Sequence, residues 1–167
     1  MMTVDAEKEN LMTKSRISIC IMTGLFLSLG AFAQEHEKHL KKSALPAEVQ
    51  KTADEYSKGA TVRGYSKEME NGKPEYEVEL TVDGHSKDVS IDQTGAVIEI
   101  EEQVQFDKLS APVRDGLKTK AGEGKITKVE SITKHGKIVA YEAQVLTGTK
   151  KMEVQVGPDG KPLDHEE

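Results

Sequence analysis

The chain of 167 residues predicts an α+β fold of two tandem repeats, each a helix packed on a roughly four-stranded antiparallel sheet. Three observations predict it. Leu45-Pro46-Ala47-Glu48-Val49 returns about 64 positions later as Leu109-Ser110-Ala111-Pro112-Val113, with Ala and Val in identical register. Tyr76-Glu77-Val78-Glu79-Leu80 is echoed by Tyr141-Glu142-Ala143-Gln144-Val145, and Val89-Ser90-Ile91 with Gly95 is echoed by Val154-Gln155-Val156 with Gly160. After each helix signal, apolar and polar residues alternate with period two between turn residues, the pattern of short half-buried strands.

The N-terminal segment reads as an export signal. Lys14 and Arg16 precede an apolar run from Ile17 to Leu29, and Ala31-Phe32-Ala33 places small residues at the −3 and −1 positions of a cleavage site. Residues 1–33 are therefore expected to be a signal peptide, with translation starting at Met12 because Asp5, Glu7 and Glu9 make the preceding residues acidic. The run is shorter than the roughly 20 apolar residues a helix needs to cross a bilayer, so no span is expected in the exported form. Cys20, the one cysteine, lies inside this run. The exported chain then has no thiol, which excludes disulfides, thiolate nucleophiles and cysteine metal clusters.

Residues 34–44 are polar and charged and read as a mobile leader. The first repeat is assigned to 45–104 and the second to 105–167. Pro46 suits a first helical turn, where its missing N–H loses no bond. Val49, Ala53 and Tyr56 then form one apolar stripe, and Gly59 ends the helix. In the second repeat Pro112 takes that part, Val113 and Leu117 form a thinner stripe, and 122–124 terminates it. Gly116 weakens this helix by about 1 kcal/mol relative to Ala.

Strands follow each helix. Asn71-Gly72, Asp83-Gly84 and Asp92-Gln93-Thr94-Gly95 are turns in the first repeat, and His135-Gly136, Thr147-Gly148 and Gly157-Pro158-Asp159-Gly160 occupy the matching places in the second. Pro162 interrupts any final strand. Alternation also assigns faces: Tyr76, Val78, Leu80, Val82, Val89 and Ile91 should lie under the helix, with Ile98 and Ile100 on the same side. Glu75, Glu77, Glu79, Asp88, Ser90, Asp92, Glu99 and Glu101 then make a markedly acidic outer face, milder in the second repeat, where Glu142, Gln144, Lys151, Glu153 and Gln155 stand. Alternation is imperfect over 60–69 and 125–134.

The net charge is −6, and residues 1–33 hold as many basic as acidic residues, so their removal leaves it unchanged. An acidic chain argues against nucleic acid and anionic lipid as partners.

The ordered set Leu-Pro-Ala-x-Val, Gly-Lys-x-x-Tyr-Glu-Val and Val-x-Ile-Asp-x-x-Gly resembles the PepSY-like family, also described as beta-lactamase-inhibitor-like. Leu45–Val49, Gly72–Val78 and Val89–Gly95 carry the resemblance, and Leu109–Val113, Gly136–Ala143 and Val154–Gly160 carry it a second time. The resemblance implies a helix on a four-stranded antiparallel sheet, repeated so that two sheets form one curved surface. It also implies an exported, periplasmic or extracellular module with an inhibitory or regulatory role. Inhibitors of that architecture grip an enzyme with the exposed sheet and its loops. No inhibitory loop residue matches a position here, and the cysteines of some such inhibitors are absent.

Residue chemistry points the same way. A hydrolase needs a nucleophile with an oriented base, or a metal with an open position; no such set is found, and Ser131 and His135 read as coincidence at a strand end and turn. Neither an enzyme nor a cofactor is expected. The expected activity is binding or inhibition of a protein partner, a peptidase or another envelope enzyme, through Arg63, Tyr65, Glu77, Glu79 and Glu142. Tyr76 and Tyr141 are assigned to the core, Tyr65 to the surface. The alternative is cation binding or stress sensing in the envelope by surface carboxylates together with His36 and His39, spaced for one helical face. Against the histidine pair stands the mobility expected of the leader, which cannot preorganise ligands.

Overall fold

The computed structural model describes residues 38–167 except Asn71 and Glu166. The expected signal peptide, His36 and the first residue of the Asn71-Gly72 turn lie outside the described residues. Eight strands form one antiparallel sheet in sequence order. They are β1 (Lys38–His39), β2 (Thr61–Glu70), β3 (Lys73–Val82), β4 (His85–Asp92), β5 (Val97–Gln103), β6 (Lys125–Lys134), β7 (Lys137–Thr147) and β8 (Lys150–Val156). Helix α1 (Ala47–Tyr56) lies between β1 and β2 in sequence, and α2 (Ala111–Ala121) between β5 and β6.

Both helices cover the same face. Val49 and Ala53 of α1 are buried with Tyr76, Val78, Leu80, Val89 and Ile91, and Val113, Leu117 and Ala121 of α2 with Val129, Ala143, Val145, Val154 and Val156. These are the stripes and alternations expected from the sequence, and they give two apolar cores side by side under one sheet. Cross-strand register fixes the common face. Val89 opposes Ile100 across β4 and β5, and Ile100 opposes Thr133 across β5 and β6, in the parity of Val129.

The structure differs from the sequence reading in four places. The strands make a single eight-stranded sheet, because β5 pairs with β4 on one edge and through Ile100–Gln103 with β6 on the other. The described part of the leader, 38–44, is tied to the sheet and to α1. β1 pairs with β2, the Leu40 amide donates to Tyr65 O at 2.8 Å, Leu40 packs against the first core, and Lys42 pairs with Asp54. Ile98 does not join Ile100 under the helix. Ile98 is the extra residue of a bulge on β5, where Ser90 opposes Glu99 but Ile91 opposes Val97, and it lines a hollow of about 490 Å³ with Glu75, Glu99 and Lys134.

Gly116 is the fourth difference. A Cβ at this position would stand 2.1 Å from Gly160 O, so the glycine that weakens α2 as a helix admits the 157–160 turn onto it. The corresponding 92–95 turn is tied to α1 by Thr52 Oγ1 donating to Gly95 O at 2.7 Å.

Candidate functional site

The face opposite the helices carries the carboxylates. Antiparallel register sets them in rows: Gly64, Glu79, Asp88 and Glu101 follow one another across β2 to β5, as do Ser66, Glu77, Ser90 and Glu99. Glu101 then opposes Ile132 on β6, and Glu130 opposes Gln103 on one side and Glu142 on the other. At the centre of the sheet Asp88, Glu101 and Glu130 converge, each offering a carboxylate oxygen within 4.8 Å of the others.

Two cations hold this cluster from its edges. Arg63 occupies the bulge between Val62 and Gly64, which frees its guanidinium to reach across the sheet. It pairs with Asp88, lies 3.4 Å from Glu79 Oε2, and donates from Nε to Leu80 O at 3.1 Å. Lys128 Nζ lies 2.6 Å from Glu130 Oε1, and Ser86 Oγ donates to the same oxygen at 3.2 Å. Glu130 is 3% exposed, a depth at which an ionised carboxylate needs such partners. Gly64 leaves room for the arrangement, since a Cβ there would fall 2.8 Å from Glu79 Oε1.

Glu101 has no such partner: among the described residues it makes no ion pair. Burial, with repulsion from Glu99, Glu130, Glu142 and Glu77, pushes its carboxyl up to about 8. Burial also raises Asp88, against the opposing pull of Arg63. Glu75, at the neighbouring hollow, is raised by burial and by Glu70, Glu68 and Glu99. The face is thus short of positive charge at Glu101, whose raised carboxyl favours the protonated form that a cation would displace.

The residues singled out from the sequence divide. Glu77, Glu79 and Glu142 stand half-buried on this face, where Glu142 accepts from Gln155 Nε2 at 2.9 Å. Arg63 belongs to the cluster as a counter-ion. Tyr65 opposes Val78, so it lies on the helix side, packed half-buried against the first core. Tyr76 is core, as expected. His39 is exposed and opposes Ser66, which puts it on the outer face at the end of the Glu77 row, away from the cluster. Ser131 hydroxyl donates to Glu102 O at 3.4 Å, while His135 stands in a left-handed turn.

Glu130 and Lys128 were not singled out. The imperfect alternation of 125–134 hid them, because Thr127 is an extra residue on β6 where the register with β7 shifts between Ile126 and Lys128.

No protein-family model matches the chain, and no curated protein matches it in sequence. Solved structures do match its fold. A DUF2874 family protein from Bacteroides ovatus superposes with a TM-score of 0.56 at 18% identity, over 72% of this chain and 85% of that one. A protein assigned to the periplasm of Bacteroides eggerthii gives 0.56 at 15% identity, over 70% and 84%. A BLIP-like protein from Bacteroides fragilis gives 0.53 at 16% identity, over 73% and 85%. At these identities the likeness is one of fold, and the chain shares the fold of the BLIP-like and DUF2874 structures.

Proposed function

We propose that this chain is an exported, periplasmic binding module of PepSY-like type that engages a protein partner through the helix-free face of its sheet. The observation that carries the reading is the cluster of Asp88, Glu101 and Glu130 at the centre of that face, where two cations serve four carboxylates once Glu79 is included. A basic side chain of the partner supplies the missing charge, displaces the proton from Glu101, and sets the register of the complex. Glu77, Glu79 and Glu142 flank the contact. The same reading takes the two helix-backed halves as tandem repeats, residues 1–33 as the removed signal, and occlusion of an envelope enzyme as the mechanism. Fold neighbours assigned to the periplasm and named BLIP-like support the compartment and the mode.

The test is capture from a native envelope extract by the exported chain, followed by affinity measurement on the captured protein. Charge reversal at Glu77 and Glu101 should weaken binding at least tenfold and flatten its salt dependence; equal affinity and equal salt slope would remove this face from the mechanism.

A second reading is favoured by the geometry of the same oxygens. Three carboxylates within 4.8 Å of one another match the all-oxygen donor set of a hard divalent cation. Calorimetry with calcium, magnesium and zinc separates the readings. Saturable binding lost in Glu130→Gln favours the cation, and silence favours protein recognition.

A further inference from the structure

The sheet has an open edge at β8, which pairs with β7 alone. Over Lys150–Glu153 all four residues are exposed, and among the described residues no hydrogen bond is made on the far side of this stretch. Open strand edges are usually blunted by lysine, and Lys150 and Lys151 fit that pattern. Glu153 does not. It stands two residues from Lys151 on the same outer face, since Lys151 opposes Leu146 and Glu153 opposes Gln144. Between them Met152 opposes the buried Val145 and so projects on the helix side, yet it is 39% exposed. An open hollow of about 650 Å³ spans β6 to β8 beside it, lined by Thr127, Val145, Leu146, Met152 and their neighbours.

We propose that this edge pairs with the same edge of a second copy of the chain, antiparallel and centred on Met152. Twofold symmetry makes the contact self-complementary. With Met152 opposite its own symmetry mate, Lys151 of each copy stands directly opposite Glu153 of the other, giving two cross-strand ion pairs. The two Met152 side chains meet on the helix side and cover each other. This register keeps both helix layers on one side of a continuous sheet; a slip by one residue would set Lys151 against Met152 and turn the layers to opposite sides. Cross-strand pairs of opposite charge favour the register, and like charges in direct opposition disfavour it. The strand pairing is short, so the area buried falls at the low end for protein contacts, and the dimer forms in roughly the micromolar to millimolar range. The proposal is independent of the carboxylate face.

Sedimentation velocity of the chain purified after export, from about 10 µM to 1 mM at low salt, reads the dimer directly. Glu153→Lys and Lys151→Glu should each weaken self-association at least tenfold, because each sets like charges opposite one another twice. Mixing the two variants should restore a one-to-one dimer, and the double swap Lys151→Glu/Glu153→Lys should restore the homodimer. All three substituted states change exposed side chains only. A chain that stays monomeric at 1 mM would overturn the proposal and leave these lysines as an edge guard. So would a dimer whose affinity ignores Glu153→Lys, or a mixture that fails to associate.

Discussion

Glu101 stands directly opposite Asp88 across β4 and β5, two carboxylates in one cross-strand pair. Such a pair is destabilising unless something neutralises it. Arg63 attends to Asp88 from the far side, and Lys128 attends to Glu130, which leaves Glu101 to be neutralised by a proton or by a cation brought from outside.

The pH dependence of folding should show it. Glu101 is raised from 4.5 to about 8, so the folded protein binds a proton that the unfolded chain releases between these values. A carboxyl raised in the native state is harmless below about 4.5, and it lowers stability progressively as pH rises toward 8, with no further loss beyond. The raised carboxyls of Asp88 and Glu75 act in the same sense. Thermal unfolding should therefore show a higher midpoint at pH 5.5 than at pH 8.5.

Glu101→Gln removes the charge and keeps the shape. At pH 8.5 it should stabilise the protein by on the order of 1–2 kcal/mol, since one pKa unit is worth about 1.4 kcal/mol and water reaches this face. At pH 5 it should change little. Urea denaturation at the two pH values checks both statements.

Lys128→Met leaves Glu130 buried beside two other carboxylates without its cation. The expected cost is about 3 kcal/mol, the penalty of breaking a buried pair from one side. Lys128→Met/Glu130→Gln should recover most of it, and a double-mutant cycle in urea measures the recovery.

Gly116→Ala reverses an ordinary expectation. In an isolated helix the change is favourable by about 1 kcal/mol. Here the new Cβ meets Gly160 O at 2.1 Å, so the variant should lose about 1–3 kcal/mol, the usual cost of forcing extra volume into a packed contact. A raised melting temperature would show that the 157–160 turn yields without cost.

Much of this was legible in the chain. Pro46 and Pro112 marked the helix starts, and the 3.6-residue stripe through Val49 and Ala53 marked the buried face. Period-two alternation through Tyr76, Val78 and Leu80 separated core from carboxylates, because each element buries one side only. The union of the strands into one sheet was not legible, since the β5–β6 pairing joins residues on either side of α2 and leaves no local signature. Bulges hid the rest. Those at Ile98 on β5 and Thr127 on β6 break the alternation, so Ile98 was placed on the wrong face and Glu130 and Lys128 were missed. Arg63 was expected to meet a partner; it stays exposed, and the bulge at its position makes it the counter-ion of Asp88.

The helix-free face lacks a positive charge at Glu101. Carbon-13 NMR titration of the Glu101 side-chain carboxyl measures this directly in the isolated protein. A midpoint near 8, falling when the captured partner is added, is the result expected; a midpoint near 4.5 in the free protein would contradict the account.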